Sequence, residues 1–279
     1  MLQVKPLSTK DFDFAVELAN TMDWKMAPAD FEFMHYLEPH GSFLLVDDSK
    51  RLGIATCISY GKLGWFGNFI INAEYRQKGG GTVLLKYAID FLHEKGVKTI
   101  GIYAYPKLIP FYSRFGFKCS EDFSFLHIEK LGAVEGEELP KINHSDHSKI
   151  LDFDAEYFGG ERQRLLDTIL TEDSNLKYCV FDGQDLIGYA LATVYDHDAW
   201  VGPLICRDSR PEVAFSLIKT VLSRLSGKTV YAVVPKKAGA LLDLFYSLGF
   251  REEFFVSRMF LGESVGKNCI YLAESLERG

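Results

Sequence analysis

Hydrophobic and polar positions alternate between two periods along the chain. Leu2–Pro6 predicts a short strand, and Ser8-Thr9-Lys10-Asp11 then supplies polar groups suited to a helix start. Phe14 and Leu18 follow at helical spacing. Ser42–Val46 and Leu52–Tyr60 are apolar runs of strand length, joined by the polar turn Asp47-Asp48-Ser49-Lys50. Trp65–Ile71 predicts a third strand, and Gly64 and Gly67 there allow a bulge or a close backbone approach. Gly79–Glu94 returns to the helical period, with Leu84, Ala88 and Leu92 on one stripe. A strand over Thr99–Ala104, a short helix over Ile109–Phe115 stopped by Gly116, and a strand over Phe123–Ile128 complete the series.

The same order then recurs. Strands are predicted near Tyr178–Phe181, Leu186–Tyr195, Ala199–Ile205 and Val230–Val234. Short matches share one spacing: Leu52-Gly53-Ile54-Ala55 faces Ile187-Gly188-Tyr189-Ala190, and Phe66–Ile70 faces Val201–Ile205, each 135 positions on. Ser113–Phe117 faces Tyr246–Phe250 at 133, and Leu7–Asp11 faces Ile142–Asp146 at 135. The common offset predicts two copies of one unit, 1–130 and 138–279. The seam falls near Leu131–Leu139, where Gly132, Gly136 and Glu137-Glu138 give a linker-like composition. Hairpins followed by strand, helix and strand predict a mixed α/β sheet in each copy.

Composition narrows the class. The 279 residues are 47% hydrophobic and 25% charged, which excludes a mainly disordered chain. No apolar stretch reaches the ~18 residues of a membrane-spanning helix, and the first residues carry no charged region leading into an apolar run. The net charge of −7 argues against broad nucleic-acid binding, which rests on neutralising phosphates. Cysteines 57, 119, 179, 206 and 269 are odd in number and widely spaced, and are expected to be reduced thiols of a cytoplasmic protein.

The sharpest local signal is Ala73-Glu74-Tyr75-Arg76-Gln77-Lys78-Gly79-Gly80-Gly81-Thr82, after a strand and opening a helix. Glycines there let backbone N–H groups turn toward a ligand, and the helix start favours a pyrophosphate. Arg76 and Lys78 add positive charge. The stretch lacks the Gly-Lys-Ser/Thr of a Walker loop and is not a Gly-x-Gly-x-x-Gly fingerprint after the first strand. Read by itself, it also fits a glycine-rich turn without a ligand. Arg76-x-x-Gly79-x-Gly81 resembles the Arg/Gln-x-x-Gly-x-Gly/Ala signature of the GCN5-related N-acetyltransferases, the GNAT family. Phe69–Arg76 looks like that family's fourth strand running into its loop. Pro110-Phe111-Tyr112-Ser113-Arg114-Phe115-Gly116-Phe117 is similar to its Phe-Tyr-x-x-x-Gly-Phe segment.

The resemblance implies two tandem domains, each a mixed, mostly antiparallel sheet flanked by helices. It further implies acetyl-CoA as co-substrate, held where strands four and five splay. Backbone groups of Phe69 and Ile71 would bind the pantetheine arm. Gln77, Lys78, Gly79, Gly80, Gly81 and Thr82, with Arg76 before them, would wrap the pyrophosphate. Tyr112 matches the family's general acid, which protonates the leaving thiolate; packing beside Phe111 and Phe115 is the plainer reading of the same residue. One departure stands out: the Asn that many relatives carry seven residues before this tyrosine is Tyr105 here, followed by Pro106.

Trp65-Phe66-Gly67-Asn68-Phe69 offers no carboxylate or histidine as general base. Asp23, Asp30 and His35 lie in the helical region that borders the acceptor in relatives, where a surface or capping role is the simpler expectation. Trp24, Met26 and Tyr36 could wall the acceptor pocket. His144-x-x-His147 with Asp146 lacks further ligands, so no metal is expected. Asp196-His197-Asp198 reads as a turn, and Cys57 has no partner suited to covalent catalysis. At the 135 offset the phosphate loop falls on Asp208–Ser216, without the three glycines. At the 133 offset of the Ser113–Phe117 segment Tyr112 aligns with Phe245, which has no hydroxyl to donate. The second copy is therefore expected to have lost the cofactor site.

The expected activity is direct acetyl transfer to an amine of a small molecule or peptide, with cationic amines favoured by the net charge. A CoA-binding sensor or interaction protein on the same fold is the alternative. Neither nucleic acid nor membrane is an expected partner.

Overall fold

The computed structural model describes residues 1–263 and 265–279. Four strands follow one another in antiparallel order: β1 (Leu2–Pro6), β2 (Ser42–Asp47), β3 (Lys50–Tyr60) and β4 (Leu63–Ile71). A fifth, β5 (Thr99–Ala104), runs parallel to β4, from Leu63 opposite Thr99 to Trp65 opposite Gly101. Helices α1 (Phe12–Asn20) and α2 (Pro28–Leu37) share one core with this sheet, in which Phe12, Leu18 and Phe31 meet Leu44, Ile54 and Ile70. The sequence sets both starts: Asp11 accepts from the Ser8 amide at 3.1 Å, and Asp30 from the Ala27 amide at 2.8 Å ahead of Pro28.

Helix α3 (Gly80–Glu94) buries Leu84, Ala88 and Leu92, the stripe read from the sequence, and Leu85 beside them. The three leucines are each worth about 2 kcal/mol of burial. The close approach of α3 to the sheet shows at Cys57, whose thiol lies 4.0 Å from the Ala88 carbonyl.

The contacts divide the chain into two compact units, Met1–Ile102 with Arg278, and Tyr103–Glu277 with Gly279. This division does not fall at the seam drawn from the repeat. The second unit begins with the end of β5 and holds α4 (Ile109–Ser113) and β6 (Lys118–Ile128). It continues with α5 (His147–Phe158), α6 (Gln163–Thr171), β7 (Leu176–Asp182), β8 (Asp185–Val194) and β9 (Asp198–Arg207). The rest is α7 (Pro211–Ser223), β10 (Thr229–Pro235), α8 (Gly239–Ser247), β11 (Arg251–Leu261) and β12 (Cys269–Leu272).

Its sheet runs β11-β6-β10-β9-β8-β7, with β12 also on β9; only the β9–β10 pair is parallel. Strand β6, which the repeat places at the close of the first copy, thus lies between β10 and β11. It pairs Leu126 with Ala232 on one side and Phe125 with Phe254 on the other. The linker-like stretch is tied down in this unit as well. Leu131 is buried and exchanges hydrogen bonds with Lys228 and Gly227, and Thr220 donates to the Glu137 carbonyl.

Both units are mixed α/β layers in which antiparallel pairs predominate. The main core of the second gathers Leu217, Ile218 and Val221 of α7 and Phe245 of α8 against Ala199, Val201, Val230 and Ala232.

Candidate active site

Strand β4 carries a bulge. Gly67 stands opposite Thr56 and Ile70 opposite Ile54, so Asn68 and Phe69 share the space facing Ala55. Asn68 takes a left-handed backbone, φ +46°, which asparagine tolerates better than most residues. The parallel ladder to β5 covers Leu63–Trp65, while the ladder to β3 continues through Ile70 and Ile71. Phe69 packs its ring 5.3 Å from Phe66 and is half-buried; Ile71 is buried.

Past Ile71 the chain turns sharply. Asn72 accepts from the Glu74 amide at 3.2 Å and starts a single 3-10 turn, Ala73–Tyr75. Arg76 then ties the loop to the strand it left. Its Nε donates to the Ile71 carbonyl at 2.9 Å, and the guanidinium reaches the Met22 sulfur at 3.5 Å. Lys78 extends over the Tyr75 ring at 5.1 Å. Arg76, Gln77, Lys78 and Gly79 are exposed, Gly81 and Thr82 half-exposed, and Gly80 buried beneath them.

Two residues set the loop's direction, Gln77 at φ +62° and Gly79 at φ +85°, the latter capping α3. A Cβ on Gly79 would meet nothing within 4 Å, so it would stand in open space before the helix. The Val83 amide donates to the Gly79 carbonyl, the first bond of the helix. The preceding N–H groups belong to the turn that an α-helix leaves without internal acceptors, where a negative ligand is favoured. No acidic side chain lies in that first turn.

Tyr112 sits in α4, buried between Phe111 and Phe117 at ring distances of 5.3 and 5.8 Å. Burial pushes its hydroxyl well above the ordinary tyrosine range. The group is therefore protonated throughout the physiological pH range. Tyr105 caps the turn before α4 and packs 5.3 Å from Phe254.

Of the other candidates, Asp30 is spent capping α2 and Asp23 is exposed in a left-handed turn. The buried Nδ1 of His35 has no hydrogen-bond partner among the described residues. His144 and Asp146 form the turn that opens α5, with Asp146 capping Asn143 at 3.1 Å. Asp196-His197-Asp198 links β8 to β9, closed by the Tyr195 amide on the Asp198 carbonyl.

The region of the second unit that repeats this one is built differently. Strand β9 ends at Arg207 and α7 starts at Pro211, so helix occupies the positions aligned with the loop. Arg210, its cap, pairs with Glu212 at 2.6 Å and Asp182 at 3.4 Å. The parallel β9–β10 ladder ends at Val201 and Ala232, and there the strands part. Strand β12 lies in the gap, pairing Leu272 to Cys269 with Leu204 to Arg207 while Ala273 bridges to Val233 of β10. At the 135 offset Leu204 and Cys206 are the counterparts of Phe69 and Ile71. Sequence reasoning missed this strand, because Cys269–Leu272 has no counterpart in the first copy and is too short for periodicity to mark it.

A buried ion pair fixes the same region. Arg162 bonds Asp154 at 2.6 and 3.1 Å, lies 3.7 Å over the Phe158 ring, and reaches the Tyr271 hydroxyl of β12 at 3.5 Å. Tyr189 donates to the same carboxylate.

Comparison with known proteins gives the family. Residues 10–117 match the Acetyltransferase (GNAT) family, and residues 150–270 match an Acetyltransferase (GNAT) domain. The chain belongs to the GNAT acetyltransferases, in the tandem form, and is an acyltransferase. It is similar to the uncharacterized N-acetyltransferase YitH of Bacillus subtilis (strain 168), 25% identical over 227 residues, covering 75% of this chain and 77% of that one. A provisionally assigned acetyltransferase of Pyrococcus horikoshii shares the fold at TM-score 0.82 and 19% identity, over 100% of this chain and 96% of that one. A tandem GNAT protein from the clavulanic acid biosynthesis pathway shares it at TM-score 0.63 and 14% identity, over 95% and 100%. The family's co-substrate is acetyl-CoA.

Proposed function

We propose that the chain transfers the acetyl group of acetyl-CoA directly to an amine of a small molecule or peptide, using the first sequence copy alone. The observation that carries this reading is the Gln77–Thr82 loop, whose two left-handed residues leave the start of α3 open to a pyrophosphate. Gln77, Lys78, Gly79, Gly80, Gly81 and Thr82 would hold that group, and Arg76 would keep the loop in register through its bond to Ile71. Backbone groups of Phe69 and Ile71, beyond the end of the β4–β5 ladder, would hold the pantetheine arm and the thioester carbonyl. Acetyl-CoA supplies the activated thioester; the protein supplies placement and stabilisation of charge.

Tyr112 serves the leaving sulfur in this reading. A phenol ordinarily titrates near ~10 and a thiol near ~8.5. Burial moves the phenol further from the thiol, so complete proton transfer is uphill. Tyr112 therefore acts chiefly as a hydrogen-bond donor to the developing thiolate. In the second copy β12 fills the strand gap and helix replaces the loop, which supports one cofactor site per chain.

The test is acetyl-CoA thioester loss with a panel of polyamines, aminoglycosides and lysine peptides, for the wild type beside Tyr112→Phe. Turnover should fall about 100-fold in the variant with CoA affinity unchanged. CoA binding without turnover on any amine would favour the sensor reading.

A further inference from the structure

Asn68 holds a polar atom that none of the described residues uses. The residue is only 3% exposed, and its Nδ2 donates to Thr56 Oγ1 at 3.2 Å. Among the described residues nothing donates to its Oδ1. Buried amide oxygens are nearly always hydrogen-bonded, since leaving one without a donor forfeits its hydration. The side of the sheet is fixed by strand alternation along β3. Cys57 turns toward α3, where it meets the Ala88 carbonyl, while Ile54 faces the core shared with α1 and α2. Thr56 lies on Ile54's side, and Asn68, bonded to Thr56, lies there too. The oxygen therefore sits in the β4 bulge, one residue before Phe69, on the face covered by α1 and α2.

We infer that Asn68 Oδ1 accepts a hydrogen bond from the N–H of the acceptor amine and orients it for attack. This rests on the acetyl-transfer reading above. The amine lone pair forms a bond to the thioester carbonyl carbon as the carbon–sulfur bond breaks. The electron pair of that bond leaves on sulfur, and the surplus proton of the amine passes to water. Asn68 takes no proton at any stage. An amide oxygen at this point has a consequence that a carboxylate would not. A carboxylate favours the ammonium ion, which has no lone pair to attack with. A neutral amide carries no net charge, so it accepts from the free amine while stabilising the ammonium ion far less than a carboxylate would. That suits a strand with no carboxylate or histidine over Trp65–Phe69.

The experiment compares wild type, Asn68→Gly and Asn68→Asp on an amine that the wild type acetylates, with acetyl-CoA affinity measured by calorimetry. Glycine tolerates the left-handed backbone, and aspartate keeps the shape and can accept from Thr56. Asn68→Gly should lower kcat/KM for the amine about 10-fold or more, with the dissociation constant of acetyl-CoA within twofold. Asn68→Asp should move the rise of rate with pH upward by about one unit, because the new charge holds the amine protonated. A merely structural asparagine would not move that profile. Unchanged kcat/KM and profile in both variants would overturn the inference and leave the acetyl-transfer reading standing. Equal losses of acetyl-CoA affinity and rate would also overturn it, assigning the oxygen to the cofactor. A wild type that turns over no amine would overturn both.

Discussion

The starts of α3 and α7 occupy equivalent places in two copies of one pattern, and they differ in kind. At α3 the chain spends Arg76, Gln77, Lys78 and Gly79 on a loop with two left-handed residues, and the helix opens onto space. At α7 a proline occupies the first helical position and Glu212, in the first turn, pairs with Arg210. The neighbouring strand pairs differ in the same sense. Strands β9 and β10 part and take up β12, a piece of the same chain, whereas the β4–β5 ladder stops at Trp65 ahead of the loop. Parted parallel strands leave backbone donors and acceptors that need partners. One copy is proposed to satisfy them with substrate; the other satisfies them with itself.

The comparison breaks most readily at Arg162, the support of β12. Arg162→Met strands the Asp154 carboxylate in the core and should cost about 3–5 kcal/mol in urea unfolding. The double variant Asp154→Leu with Arg162→Met should recover most of that loss. If the single change costs less than about 1 kcal/mol, the pair does not hold this region. The next largest effect is expected at the loop. Gly79→Asp places a carboxylate on a left-handed residue before the α3 start and should weaken CoA binding at least ~100-fold, abolishing its thermal shift. The matching change in the second copy, Glu212→Gly, should leave CoA affinity within twofold. Comparable losses from both would mean that both helix starts bind. The smallest effect is expected at Gly202. Its φ of +154° and the Ala273 carbonyl against it leave no room for a side chain. Gly202→Ala should destabilise by about 1–2 kcal/mol while calorimetry still gives one CoA per chain. A second equivalent of CoA in either protein would show that β12 does not block the second copy.

Much of the fold was legible because it rests on local rules. Thr99–Ala104 was bounded as observed, and the Gly79–Glu94 stripe of Leu84, Ala88 and Leu92 is buried as read. The loop was legible because three glycines at a helix start have a physical purpose of their own. Gly64 and Gly67 allowed a bulge or a close backbone approach in the strand, and β4 bulges just after Gly67. What escaped were pairings between distant positions. Nothing in Phe123–Ile128 says that it will lie between β10 and β11, since an alternating strand suits any edge of matching polarity. A fixed offset places the aligned loop of the second copy at Asp208–Ser216, but α7 starts inside it because Pro211 already has the φ of a first helical turn.

The sequence by itself determined the repeated mixed α/β pattern, the glycine-rich start of α3 and its loss from the second copy, because these depend on residue type and short spacing. Only the tertiary structure decided that Cys269–Leu272 fills the gap beside β9, that Arg162 is buried against Asp154, and that the Asn68 oxygen has no donor among the described residues. Those outcomes turn on which backbone edges and polar atoms are still unsatisfied after the rest of the chain has packed, a condition that no local pattern records.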